Sequence, residues 1–117
     1  MSVLVAKQAP DFTAAAVLGT GEIVDSYNLK AATAGKYAVI FFYPLDFTFV
    51  CPSELIAFDH RLAEFKARNV EVIGVSIDSQ FSHSAWRNTP VNKGGIGPVG
   101  YTLVADVKHE ICKAYDV

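Results

Sequence analysis

Cysteine is scarce in this 117-residue chain, which holds two, Cys51 and Cys112. They are too few for a disulfide scaffold and sit in none of the paired Cys or Cys/His spacings of a zinc site, so no metal is expected. Excess charge is missing too: 10 Lys and Arg against 12 Asp and Glu leave a net charge of −2. Phosphate backbones demand clustered positive charge, so nucleic acid is not an expected partner. The apolar run Ala38 to Tyr43 falls far short of the ~20 residues needed to span a bilayer, and no membrane partner is expected. The N-terminus lacks the basic start, apolar stretch and small-residue cleavage site of a secretory signal. A cytoplasmic location, where thiols stay reduced, is the simplest expectation. His60, His83 and His109 show no ligand spacing and fit solvated helix faces. Gly94 to Gly97 has neither G-x-G-x-x-G spacing nor a P-loop lysine, and no cofactor is expected.

What is present is apolar bulk. The chain is 51% hydrophobic and 12% aromatic, the composition of a packed globule. At this length folding hides about two-thirds of the unfolded surface, enough for one core without staples. Phe12–Val17 and Glu22–Ser26 flank Gly19-Thr20-Gly21 as a hairpin. Tyr37 to Tyr43 is a continuous β-forming run stopped by Pro44, and its pattern predicts a central strand covered on both faces. From Pro52 to Arg68 the period changes: Leu55, Phe58, Leu62 and Phe65 form one helical stripe, ended at Asn69. Val70 to Ile77 is a second strand, Ser82 to Asn88 a short helix, Gly94 to Pro98 a loop, and Tyr101 to Ala105 a third strand. Asp106 is placed to cap a last helix, Lys108 to Tyr115. Strands alternating with helices predict an α/β helix–sheet–helix sandwich with parallel neighbours.

Chemistry concentrates between Pro44 and Glu54. Ligands collect at the carboxyl ends of strands in such sheets, and this loop leaves one. Pro52 suits the first turn of a helix, which puts Cys51 at the helix start. Unpaired amides and the positive end of the dipole favour a thiolate there, lowering a thiol pKa from ~8.5 into the range of about 3.5–7.5. Thr48, three residues earlier, shares a face with Cys51 if the turn is already helical, and Pro44 would stiffen the loop and shield the sulfur. Asp46 and Glu54 fit either a supporting hydrogen-bond pair or ordinary capping and solvation. Cys112 reads as a helix residue packed on the sheet, and Trp86 as core that could wall a pocket.

At these residues the chain resembles a known family. Pro44-x-x-x-Thr48-x-x-Cys51, within Phe-Tyr-Pro-Leu-Asp-Phe-Thr-Phe-Val-Cys-Pro-Ser-Glu, resembles the active-site signature of peroxiredoxins, of the typical two-cysteine, bacterial alkyl hydroperoxide reductase C type. Ala9-Pro10-Asp11-Phe12, Ala85-Trp86-Arg87-Asn88-Thr89-Pro90, Gly94-Gly95-Ile96-Gly97 and Lys113-Ala114-Tyr115 extend the likeness over nearly the whole chain. The resemblance implies a thioredoxin-like three-layer fold with an N-terminal hairpin. It implies a thiol-dependent peroxidase acting on hydrogen peroxide and organic hydroperoxides through a sulfenic acid on Cys51. Thr48 would hydrogen-bond peroxide and thiolate, Pro44 would exclude water, and Glu54 would orient the family's active-site arginines. Implied partners are a thiol reductant (a flavoprotein disulfide reductase or thioredoxin) and further copies, as a homodimer and a ring of dimers.

The departures shape these expectations. The family's active-site arginine and typical resolving cysteine would lie beyond Val117. Arg68 and Arg87 do not match that arginine. Cys112 stands where many members carry serine and is not assigned the resolving role. Residues 1–117 are thus expected to form a single thioredoxin-like domain cut short at its C-terminal end. An alternative is a non-catalytic holdase or assembly subunit. A thioredoxin-type dithiol carrier fits poorly, since Thr48 occupies the place of the first cysteine of C-x-x-C.

Overall fold

Glycine opens the architecture. Gly21 turns with φ +94°, and a Cβ on Gly19 would stand 2.3 Å from the carbonyl oxygen of Gly100, so the first turn needs both a left-handed residue and a bare one. The computed structural model describes residues 4–48 and 52–117. Strands β1 (Thr13–Val17) and β2 (Ile23–Asn28) pair antiparallel around this turn, with an irregularity between Ala14 and Ala16. There follow α1 (Leu29–Ala32), β3 (Tyr37–Phe42), α2 (Pro52–His60), α3 (Leu62–Ala67) and β4 (Val70–Ser76). Then come α4 (Gln80–Arg87), a 3-10 turn at Val91–Lys93, β5 (Thr102–Ala105) and α5 (Glu110–Ala114).

The sheet order is β2-β1-β5-β4-β3. β3, β4 and β5 run parallel, while β1 is antiparallel to both β2 and β5. The sheet is therefore mixed, and β3 stands at its edge instead of its centre. Its apolar run reports how its two faces are covered and carries no information on lateral neighbours. Even that coverage is partial, with Tyr37 76% exposed.

Side chains alternate across the strands. On one face Phe41, Tyr43, Val72, Tyr101 and Leu103 pack with Leu55 of α2 and Trp86 of α4, flanked by Phe58, Leu62 and Phe65. Phe41 stacks on Phe58 with centroids 4.5 Å apart, and Gly74 leaves room for it, since a Cβ there would meet Phe41 Cζ at 2.9 Å. On the other face Ala16, Ile73, Val75 and Val104 pack with Leu29 of α1 and Ile111 of α5, beside Ile40 and Phe42. Helices thus cover both faces, as the alternating pattern predicts. Among the described residues, no helix is long and apolar enough to cross a membrane.

Two boundaries differ from the pattern. The expected single helix Pro52–Arg68 is broken at Arg61, where φ is −103° and ψ 7°. Arg61 still donates its amide to Ala57 O at 3.2 Å, so the stripe continues through the break and conceals it. Asn69 ends α3 with φ 59°, a left-handed conformation that asparagine tolerates. The last helix begins later than expected, after His109. Asp106 nonetheless caps it from outside the turn: its carboxylate accepts from Ile111 N at 3.0 Å and Cys112 N at 2.8 Å.

Candidate active site

Beyond Phe42 the β3–β4 ladder runs one more residue, through Tyr43 N donating to Val75 O at 3.1 Å. The loop that follows is fastened to the end of β4. Ser76 Oγ donates to Pro44 O at 2.8 Å, and Asp46 N donates to Asp78 Oδ2 at 2.8 Å. Phe47 reverses the chain with φ 60°. Thr48 Oγ1 donates to Leu45 O at 3.2 Å. Thr48 itself is not helical and follows directly on the reversal at Phe47; α2 is described from Pro52. Cys51 lies outside the described residues. Glu54 stands exposed in the first turn of α2, and the base of that turn is held by Tyr101, whose hydroxyl donates to Leu55 O at 2.6 Å. Pro44 and Thr48 thus share one short loop at the carboxyl ends of β3 and β4, which runs toward the start of α2.

Beneath the loop lies a buried polar cluster. Tyr43 Oη donates to Asp46 Oδ1 at 2.9 Å, and His83 Nδ1 meets Asp46 Oδ2 at 2.7 Å and Tyr43 Oη at 3.3 Å. His83 Nε2 donates to Val104 O at 3.0 Å. The side chains of His83 and Asp46 are both 0% exposed. Burial, reinforced by the Asp46 carboxylate, pushes the Tyr43 phenol far above the ordinary tyrosine range, so it stays a donor.

This overturns two expectations. His83 is not on a solvated face as His60 and His109 are; it shares the buried stripe of α4 with Trp86 and Arg87. Asp46 bonds Tyr43 and His83, and not Glu54, because its carboxylate points inward. The i, i+3, i+4 spacing of His83, Trp86 and Arg87 was the available signal. A buried polar group needs a partner, and Asp46 is invisible as one from 37 residues away.

Trp86 is core as expected, fully buried, with Nε1 donating to Gly94 O at 3.0 Å. It also walls the loop, its ring 6.0 Å from Phe47 and 5.8 Å from Tyr43. Arg87 is a clamp, with Nη2 donating to Gly19 O at 3.0 Å and Val99 O at 3.1 Å. Cys112 lies in α5 as expected and is half-buried. It lines a hollow of about 290 Å3 with Phe42, Pro44, Val75 and Ile77. Burial and the neighbouring Asp106 carboxylate push its thiol above the ordinary range.

Residues 5–117 match the AhpC/TSA family. The chain is 50% identical over 115 residues to alkyl hydroperoxide reductase C of Buchnera aphidicola subsp. Acyrthosiphon pisum, covering 98% of this chain and 58% of that protein. It is 53% identical over 114 residues to peroxiredoxin-1 of Gallus gallus, covering 97% of this chain and 56% of that protein. The reduced 2-Cys peroxiredoxin of Plasmodium vivax superposes with a TM-score of 0.90 at 50% identity, covering 95% of this chain and 68% of that one. The chain therefore spans less than two-thirds of the length of either of these curated relatives, and its α/β fold is thioredoxin-like.

Proposed function

The chain belongs to the AhpC/TSA family, and from that premise we propose that it carries the peroxide-reducing thiol of a thiol-dependent peroxidase, with Cys51 as nucleophile. One observation carries the reading: Pro44 is held to Ser76 of β4 and Thr48 to Leu45 of the same loop, in the segment that precedes Cys51 and α2 in sequence. The Cys51 thiolate attacks one peroxide oxygen. The S–O bond forms as the O–O bond breaks, sulfur is oxidised to sulfenic acid, and the departing oxygen takes up a proton to leave as water or an alcohol. The helix N-terminus favours the thiolate. Thr48 hydrogen-bonds peroxide and sulfur, Pro44 shields them from water, and Glu54 orients arginines supplied from outside residues 1–117.

The same reading makes residues 1–117 one thioredoxin-like domain of a longer unit. A thiol reductant, either a flavoprotein disulfide reductase or thioredoxin, returns the sulfenic acid to thiol in the reducing cytoplasm. Copies associate as dimers and rings of dimers. The exposed apolar side chains Leu45, Phe47, Ile77 and Phe81 around the loop support such contacts.

Stopped-flow mixing with hydrogen peroxide, with sulfenic acid trapped by dimedone, tests the function. The parent is expected to consume peroxide and form the adduct at Cys51, and Cys51→Ser to do neither. Equal consumption by the two would overturn the reading.

A further inference from the structure

Thr48 takes its place from the turn at Leu45–Phe47, and the hub of that turn is Asp46, whose main chain and side chain are both held. Its amide is taken by Asp78, one carboxylate oxygen by Tyr43 and the other by His83. His83 in turn is anchored to β5 through Val104 O. A carbonyl only accepts, so Nε2 carries a hydrogen. The contact of 2.7 Å between Nδ1 and Asp46 Oδ2 therefore holds one further proton, whichever of the two atoms bears it. With that proton the pair is neutral overall and needs no water. Without it, a bare ring nitrogen would face a carboxylate in a site that solvent does not reach.

From this geometry we infer that His83 is a positioning residue for peroxide reduction: through Asp46 it fixes the reversal that places Pro44 and Thr48. The inference rests on the thiol-peroxidase reading. His83 touches neither loop residue directly, and its influence passes through the Asp46 carboxylate. Near-attack geometry is sensitive to small displacements, a shift of about 1 Å costing up to about a hundredfold in rate.

Two amide substitutions divide the two ring contacts. His83→Asn keeps a donor near the Nδ1 position, facing Asp46, and gives up Val104; His83→Gln does the reverse. The readout is the second-order rate of oxidation by hydrogen peroxide in the full protein, followed by the emission of Trp86, the one tryptophan of residues 1–117. H83Q is expected to slow oxidation by about tenfold or more, and H83N to lose several-fold less, at matched thermal midpoints. Equal losses, or a larger loss in H83N, would overturn the inference. If H83Q does not fold, Asp46→Asn and Asp46→Ala serve instead. D46N can donate to a neutral His83 and should recover much of the rate lost in D46A, while equal rates in the two overturn the inference. A parent that does not react with peroxide overturns the functional reading and this inference together. A reacting parent with indistinguishable variants overturns the positioning role alone.

Discussion

The hydroxyl of Tyr101 donates to the carbonyl of Leu55 across 2.6 Å, in a wholly buried contact between residues 46 positions apart. It ties the start of α2, immediately after Cys51, to the segment that enters β5. Tyr101→Phe removes that bond and keeps the ring, so the expected loss is about 1 kcal/mol of stability. A lower urea midpoint with unchanged slope would check it. An unchanged midpoint would mean the contact contributes nothing.

Alkaline pH should unfold the protein through its tyrosines. Burial first, then nearby carboxylates, raises Tyr27 from 10.0 to about 12 and holds Tyr43 and Tyr101 higher still. The folded chain keeps protons that the unfolded chain releases near pH 10. Their stabilising share is therefore complete below pH 10 and declines as pH rises, with Tyr27's exhausted once pH passes about 12. Phenolate absorbance and circular dichroism should change together. Early ionisation of these rings in a folded chain would contradict the prediction.

Asp106→Ala leaves the amides of Ile111 and Cys112 without their acceptor. By comparison with other helix caps the cost is about 1–2 kcal/mol, read as faster hydrogen exchange at those two amides. The conservative Asp106→Asn also removes the negative charge beside Cys112, whose thiol is held up by burial and by that carboxylate. Cys112 should then be alkylated faster than in the parent at the same pH. An unchanged or slower rate would reject the electrostatic part of the argument.

Gly95→Ala should be among the most damaging single changes. The new Cβ would stand 1.9 Å from the carbonyl oxygen of Thr89, against main chain that cannot step aside. A cost of about 3 kcal/mol or more follows from overpacking. Gly35→Ala meets nothing within 4 Å and is strained only through φ +72°, so about 1–2 kcal/mol is expected. Thermal midpoints of the two variants should rank in that order.

Local pattern made much of this molecule readable. The left-handed turn at Gly21, the strand at Val70–Ser76, the reversal at Asn69 and the cap from Asp106 each depend on neighbours close in the chain. The Pro44, Thr48 and Cys51 spacing is equally local, and so was the family. Arg61 shows where pattern fails: a break that leaves the apolar stripe in phase leaves no trace in the stripe.

By itself the sequence determined the classes of element, the α/β layering and the segment proposed to carry the chemistry. Periodicity, turn residues and motif spacing act over a few bonds, and each residue states its own part. The tertiary structure alone decided that β3 lies at an edge and that Arg87 clamps a hairpin. It alone also decided that His83 is sealed against Asp46 beneath the loop. Those outcomes depend on which distant partners meet in a water-free interior, where a polar side chain is kept only by the group that satisfies it.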